Sequence, residues 1–283
     1  MRSQSWPAPA KLNLFLHILG RRDDGYHLLQ TVFQFINLID EIDFNILDKP
    51  EVCRLSSMDS VPEQDDLVIR AAKLLQCHTA CEQGVEISVN KRIPHGGGLG
   101  GGSSDAATTL VALNHLWKLN LDKAEIAKLG LSLGADVPVF VSGHAAWAEG
   151  VGEQLAEVGP DESCYLVIHP GCSVPTAQIF NASDLTRNTP AITIRDFLAD
   201  GGHNDCESVV RKLYPEVDTA LEWLNEFSPA KLTGTGACLF AAFNNMAAAT
   251  EAQRGLPEKW QGYVVQGLNR SPLMDRLEKE SSV

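Results

Sequence analysis

Residues 93–117 read IPHGGGLGGGSSDAATTLVALNHLW and place six glycines within seven positions, directly ahead of a helical pattern. Leu110, Leu113 and Trp117 recur at helical spacing, which predicts a helix over residues 104–117. Glycine lets the backbone adopt positive φ and approach a ligand closely. The start of a helix adds unpaired N–H groups and the positive end of the helix dipole. Together these features predict an anion-binding site.

Other interpretations of this stretch are weaker. Ser103, Ser104 and Asp105 could be helix caps, and the glycines could form a flexible loop. Residues 96–101 also fit the G-x-G-x-x-G pattern of dinucleotide-binding folds, but those folds need a strand after the helix, and a second helix is predicted here. No Gly-Lys-Ser/Thr follows, so the loop is not of the Walker A type. The remaining interpretation is a nucleoside triphosphate held by a glycine loop of another kind.

Composition limits the classes of protein that the chain could represent. Its 283 residues exceed the roughly 100 to 200 of a typical domain, so we predict two domains, over residues 1–152 and 153–283. The net charge of -13 disfavours a nucleic-acid partner. Seven scattered cysteines, no signal-peptide pattern and no apolar run of about 20 residues indicate a cytoplasmic protein without a membrane span.

Periodicity predicts an α+β fold. Residues 10–18 alternate, which predicts a strand with Lys11, Asn13, Phe15 and His17 on one polar face. An Asp122 to Glu125 capping pattern predicts a helix start. Strands and helices do not alternate regularly, so we expect two α+β domains facing one another, with a ligand between them. Further strands are predicted at residues 31–36, 41–47, 85–89, 165–169, 239–243 and 263–266, and further helices at 66–77, 205–213 and 217–227.

Three motifs carry a family resemblance. PAKLN at residues 9–13, PHGGGLGGGSS at residues 94–104 and LTGTGAC at residues 232–238 resemble, in order, the three motifs of the GHMP kinases. Three further stretches narrow the resemblance to a branch that phosphorylates a cytidine diphosphate-linked alcohol, and the likeness covers nearly the whole chain. These stretches are GRRDDGYH at residues 20–27, LGADVPVF at 133–140 and PTAQIF at 175–180.

The resemblance implies a two-domain GHMP-kinase fold with its active site in the inter-domain cleft. The cosubstrate would be ATP with Mg²⁺, and the acceptor the 2-hydroxyl of a cytidine diphosphate-linked methylerythritol, a small molecule of isoprenoid precursor biosynthesis. No metal ligand is indicated, and the oligomeric state is not indicated either. The ATP-binding residues implied by the resemblance are Pro94, His95, Gly96, Gly97, Gly98, Leu99, Gly100, Gly101, Gly102, Ser103 and Ser104.

The resemblance also implies catalytic and substrate-binding residues. Lys11 and Asp136 match the pair that flanks the substrate hydroxyl, although by residue type a strand Lys is usually solvent-facing and Asp136 could be a turn residue. In the family, the matching Tyr and Phe sandwich the cytosine ring and the matching His hydrogen-bonds to it. By residue type, such aromatics are more often core. The implied substrate-binding residues are Asn13, Tyr26, His27, Lys91, Thr176 and Phe180.

One position departs from the family pattern. Asp66 stands where the family commonly has an Asn beside the ATP base, and an ionised Asp cannot donate the hydrogen bond of an amide. The predicted helix start gives Asp66 a capping role instead. Two alternatives stay open: a GHMP kinase for another alcohol, such as homoserine or mevalonate, and a non-catalytic nucleotide sensor on the same fold.

Overall fold

The computed structural model of the chain describes residues 5–55, 62 and 65–282. Its strands are β1 (Trp6–Arg21), β2 (His27–Leu47), β3 (Val52–Arg54), β4 (Gly84–Asn90), β5 (Ala146–Glu149), β6 (Gln154–Glu157), β7 (Cys164–His169), β8 (Ala230–Leu232), β9 (Leu239–Phe243) and β10 (Gln261–Leu268). Its helices are α1 (Leu67–Thr79), α2 (Gly101–Leu116), α3 (Lys123–Leu131), α4 (Val137–Ser142), α5 (Thr176–Phe180), α6 (Ile194–Asp200), α7 (Glu207–Leu213), α8 (Pro215–Asn225), α9 (Met246–Arg254) and α10 (Pro272–Ser281).

The strands form one continuous mixed sheet. Its main path runs β3-β4-β2-β10-β7-β9-β8, and β1 and β5 also pair with β2. The β3–β4 ladder is parallel, whereas β2 pairs antiparallel with each of its neighbours. This arrangement of a mixed sheet with separate helices confirms the predicted α+β class.

The predicted strands at residues 31–36 and 41–47 are one strand, the 21-residue β2. The prediction of two separate strands was wrong. Asn37 instead accepts a hydrogen bond from the backbone N–H of Gln266 at 2.8 Å on the neighbouring strand. Asp40 is fully buried and is the acceptor for two backbone N–H groups after β4. Both polar side chains therefore accept hydrogen bonds from neighbouring backbone N–H groups and do not end the strand.

Strand β1 keeps its predicted alternation only as far as Asn13. A register shift between Asn13 and Leu16 interrupts its pairing with β2. Within the shift, Phe15 packs against Phe197 with ring centroids 5.0 Å apart, and Leu16, where pairing resumes, lines the cleft instead. The prediction that Phe15 shares the polar face of Lys11 was therefore wrong, because a bulge adds a residue to one strand and reverses the faces beyond it.

The predicted helix starts at residues 66 and 122 are confirmed. The Asp66 side chain accepts a hydrogen bond from the N–H of Val68 at 2.9 Å and caps α1. Asp122 and Glu125 form a complete capping box at α3. Local sequence therefore determines where these helices begin.

The buried side chains form three clusters. One packs under the first half of the chain and includes Trp6, Phe35 and Phe44. A second is built around α7, α8 and β7 of the second half and also includes Leu16 and Ile18 of β1, and a third contains residues of both halves. Leu273 and Met274 of α10 pack in the first cluster although they lie near the end of the chain. The domain boundary near residue 152 stays a prediction.

The described residues contain neither a disulfide nor a helix suited to a membrane. No disulfide joins any of the seven cysteines, all of which lie in the described residues. Across residues 5–55, 62 and 65–282, no helix has the length and apolar character that crossing a membrane requires.

A buried polar network joins the two halves of the sheet. Gln34 on β2 is fully buried, and its amide N–H₂ group donates to the carbonyl of Asp161 and to Asn269 Oδ1, each at 3.0 Å. The Tyr165 hydroxyl on β7 donates to Gln34 Oε1 at 2.8 Å. Burial raises the pKa of Tyr165 to about 12, so its hydroxyl remains a donor at neutral pH.

Tyr165→Phe should therefore destabilise the protein by about 1 to 3 kcal/mol, because Gln34 Oε1 would be left buried without a donor. Tyr263→Phe is the matched control, since among the described residues its hydroxyl donates a hydrogen bond to exposed Gln261 alone. The control should change the free energy of unfolding by less than about 0.5 kcal/mol. Urea unfolding measures both, and equal losses in the two variants would contradict the role of the network.

Candidate active site

The glycine loop of residues 94–100 is held against protein backbone on one side. Gly98 and Gly100 have φ of 73° and 72°. A Cβ on Gly98 would lie 2.4 Å from the carbonyl oxygen of Thr233, and one on Gly100 would lie 2.9 Å from Phe140 Cζ. Part of the glycine requirement therefore comes from packing against the loop that follows β8 and against Phe140 of α4, and not only from a ligand.

Helix α2 begins at Gly101 with its amino end open. Its N-cap is Gly100, and no side chain caps it. Ser103 lines the cleft, Ser104 is fully buried, and Asp105 forms an ion pair, so none of these three residues caps the helix. The first-turn N–H groups therefore remain available to an anion, as the sequence predicts.

A cleft of about 430 Å³ runs along this loop and is lined by residues from both halves of the chain. It contains Lys11, Asn13, Lys91, Asp136, Thr176, Phe180 and residues 94–103. Among the predicted site residues, Tyr26, His27 and Ser104 do not line it. Sequence reasoning named no residue of LTGTGAC individually, yet Gly234 and Thr235 of that motif line the cleft and so do Thr31 and Val151.

Lys11 is the most enclosed cation of the cleft. Its side chain is 3% exposed, and Nζ lies 2.5 Å from Asn13 Oδ1, 3.0 Å from the carbonyl of Gly98 and 3.2 Å from Asp136 Oδ2. Its three N–H groups thus match three acceptors. The solvent-facing alternative for this strand lysine does not hold, because β2 and the glycine loop cover it.

Asp136 is placed for chemistry more than for capping. It is the residue before α4, but its side chain makes no capping hydrogen bond. The carboxylate points to Lys11 and is 33% exposed in the cleft. One oxygen therefore pairs with a cation while the group remains accessible to a ligand.

Asn13 and Thr176 fasten the walls of the cleft. Asn13 receives the Lys11 ammonium on Oδ1 and donates through Nδ2 to Thr31 Oγ1 at 2.9 Å. Thr176 Oγ1, at the start of α5, lies 3.0 Å from Thr235 Oγ1 in the loop between β8 and β9. Neither pairing is visible in the sequence, because the partners are distant along the chain.

Of the predicted aromatic residues, Phe180 lines the cleft and His27 packs beside it. His27 stacks on Phe180 with ring centroids 5.0 Å apart and an interplanar angle of 22°. The Tyr26 ring is 62% exposed. Arg187, which sequence reasoning missed, donates from Nε to His27 Nε2 at 3.1 Å. Burial lowers the pKa of His27, and the positive charges of Arg187 and Arg21 lower it further.

Lys91 is shared between two carboxylates beside α2. Its Nζ contacts Asp40 and lies 2.6 Å from Asp105 Oδ2, and it borders Gly101 in the cleft. Burial alone would lower the pKa of Lys91, but the two carboxylates outweigh burial and raise it. Burial raises the pKa of Asp105 to about 7, against the attraction of Lys91 and together with repulsion from Asp40.

Asp66 forms a buried ion pair with Arg54 in addition to its capping bond. Neither residue lines the cleft, although the adjacent Leu67 does. The oxygens of the Asp66 carboxylate are therefore already bonded to Arg54 and to the N–H of Val68.

Fold and site together define a kinase of small molecules. Residues 66–144 match the N-terminal domain of the GHMP kinases, and residues 185–262 match their C-terminal domain. The chain belongs to the GHMP kinase family, whose phosphate donor is ATP. Its site is therefore that of an ATP-dependent phosphotransferase.

Individual relatives are similar over nearly the whole chain. The 4-diphosphocytidyl-2-C-methyl-D-erythritol kinase of Nitrosococcus oceani is 57% identical over 274 residues, which cover 97% of this chain and 98% of that protein. A crystal structure of a 4-(cytidine 5'-diphospho)-2C-methyl-D-erythritol kinase matches with a TM-score of 0.82 and 31% identity, over 93% of this chain and 99% of that one. A mevalonate kinase shares the fold, with a TM-score of 0.68, 18% identity and coverage of 95% and 100%.

Gly100→Ala should weaken ATP binding and lower the free energy of unfolding by about 1 to 3 kcal/mol, since a side chain is strained at positive φ. The added Cβ would also lie 3.1 Å from Lys11 Cε and would displace that side chain. Gly20→Ala, at a position with no atom within 4 Å of the added Cβ, is the control. Calorimetric titration with ATP and urea unfolding measure the two effects, and unchanged ATP affinity in a folded Gly100→Ala protein would contradict the first.

Asp105→Asn should gain stability over the wild type as the pH rises from 5 to 7, and the gain should then stay constant. The folded pKa of about 7 lies above the ordinary value of 3.8, so in this window the unfolded chain releases a proton that the folded protein retains. Ionisation of Asp105 in the unfolded chain thus lowers the free energy of unfolding of the wild type by about 1 to 3 kcal/mol over these two pH units. Urea unfolding at several pH values tests this, with the exposed Asp184→Asn as control, and parallel curves for Asp105→Asn and wild type would contradict it.

Proposed function

We propose that the protein transfers the γ-phosphoryl group of Mg·ATP to the 2-hydroxyl of 4-diphosphocytidyl-2-C-methyl-D-erythritol, a step of non-mevalonate isoprenoid precursor biosynthesis. The observation that carries the proposal is the Lys11–Asp136 pair, 3.2 Å apart in a cleft that also holds the glycine loop. The full-length similarity to kinases of that name supports the acceptor.

Asp136 accepts the proton of the acceptor hydroxyl. The hydroxyl oxygen forms a bond to the γ-phosphorus, the bond from that phosphorus to the bridging oxygen breaks, and ADP leaves with the electron pair. Such a reaction requires mainly positioning and stabilisation of spread negative charge. Lys11 supplies a positive charge beside the reacting oxygens.

The triphosphate lies along residues 94–104. The open amino end of α2 and the bare backbone of the loop offer N–H donors to phosphate oxygens. Magnesium arrives as part of the nucleotide, because Mg²⁺ is commonly held by phosphates with few protein ligands.

The cytidyl acceptor occupies the other end of the cleft. Phe180 offers a ring face there. Tyr26 precedes His27 in the chain and its ring is exposed, and the family pattern assigns it to the other face of the base. Asn13, Lys91 and Thr176 complete the substrate contacts that the family pattern assigns. Stacking on an aromatic ring contributes about 1 to 3 kcal/mol per base.

A GHMP kinase for a smaller alcohol is the second candidate, since mevalonate kinase shares the fold. Mevalonate and homoserine contain no ring that could stack on an aromatic side chain. The stacked His27–Phe180 pair therefore favours the cytidyl acceptor. The purified protein should be incubated with Mg·ATP and each of these alcohols in turn. Release of ADP and the phosphorus NMR spectrum of the product identify the acceptor, and transfer to mevalonate or homoserine alone would overturn the proposal.

Asp136→Asn and Lys11→Met should each lower kcat by about 10²- to 10⁴-fold, the range for a positioned acid or base, while ATP affinity changes little. The exposed Asp48→Asn is the surface control. Steady-state kinetics and ATP titration separate the two effects. If both variants keep the wild-type kcat, Lys11 and Asp136 bind ligand but take no part in the chemical step.

A further inference from the structure

Arg187 joins His27 to the segment that carries Phe180. Its Nε donates to His27 Nε2 at 3.1 Å, and Nη2 donates to the carbonyls of Phe180 at 2.9 Å and Ala182 at 2.6 Å. Nη1 donates to the carbonyl of Leu185 at 3.1 Å. One guanidinium therefore fixes both members of the aromatic stack, although they lie far apart in sequence.

An arginine can only donate hydrogen bonds, so the His27 atom that faces it must present a lone pair. Two positive side chains, Arg187 and Arg21, act on the imidazole, and with burial they lower the pKa of His27. The ring is thus neutral at neutral pH. With Nε2 as acceptor, the single ring proton resides on Nδ1.

Nδ1 is the atom of His27 that remains for a ligand. Within the described residues Nδ1 makes no hydrogen bond. It is also not fully buried, so a ligand can reach it. An N–H donor at this position matches the N3 atom of cytosine, which is an acceptor. In uracil, N3 carries a hydrogen, and two donors would face each other.

We infer that Arg187 is a positioning residue for base selection: it holds His27 in the Nδ1–H tautomer, which accepts a cytosine and rejects a uracil. The inference rests on the proposed cytidyl acceptor and adds to it the group that sets the selectivity. Stacking on Phe180 cannot supply this selectivity, because either pyrimidine presents a ring face.

The first test reads the tautomer directly in the wild-type protein. Long-range ¹H–¹⁵N NMR spectra of ¹⁵N-histidine-labelled protein at pH 7.5 distinguish protonated from unprotonated ring nitrogens, and His27→Gln identifies the resonances of His27. We expect protonated Nδ1 and bare Nε2. The opposite tautomer in the wild type would overturn the inference without any need for an Arg187 variant to fold.

The second test measures selectivity. We expect kcat/KM for the cytidyl acceptor to exceed that for its uridyl analogue in the wild type, and Arg187→Met to reduce this ratio by about 10- to 100-fold. The KM for Mg·ATP should stay within about twofold. Arg195→Met, which alters an exposed arginine of α6, should keep the wild-type ratio.

The outcomes separate the inference from the proposed function. A preserved ratio in folded Arg187→Met, or a changed tautomer with an unchanged ratio, would overturn the role of Arg187. If the wild type phosphorylates neither pyrimidine acceptor, the proposed function fails, and base selection by Arg187 fails with it. Arg187→Lys keeps the charge but not the planar fork, so a ratio between those of wild type and Arg187→Met would support the assignment.

Discussion

A buried ammonium group imposes the main constraint on this molecule. Removing a lysine charge from water is costly unless acceptors replace the lost hydration. The acceptors of Lys11 come from its own strand, from the glycine loop and from the residue before α4. Strand, loop and helix must therefore converge at one point, and this convergence forms the reactive end of the cleft.

The glycine loop depends on the same convergence. The N–H of Lys11 donates to the carbonyl of Leu99 at 3.0 Å, and the N–H of Cys238 donates to the carbonyl of Gly97 at 3.0 Å. The loop is thus fixed by backbone on two sides before any nucleotide arrives. A loop that is rigid in advance loses little conformational entropy on binding, which favours affinity. The two glycine-rich motifs, one in each half of the chain, therefore pack against each other.

Much of this arrangement can be predicted from local sequence. Caps identified the starts of α1 and α3, periodicity identified α2, and the glycines indicated an anion site. The single β2 strand could not be predicted, because Asn37 and Asp40 resemble turn residues until their distant backbone partners are known. Gln34 and Arg187 were invisible for the same reason. Their functions consist of contacts more than a hundred residues away, and their residue types have no local signature.

The position of β10 determines when the molecule can be completed during synthesis. This strand lies between β2 and β7, so the sheet stays divided into two pieces until residues 261–268 have left the ribosome. Leu273 and Met274 of α10 then fill the core of the first half. A nascent chain that already contains every residue of the cleft must still wait with unpaired edges on β2 and β7. Such edges pair readily with other chains, so β10 protects the strands synthesised before it from aggregation.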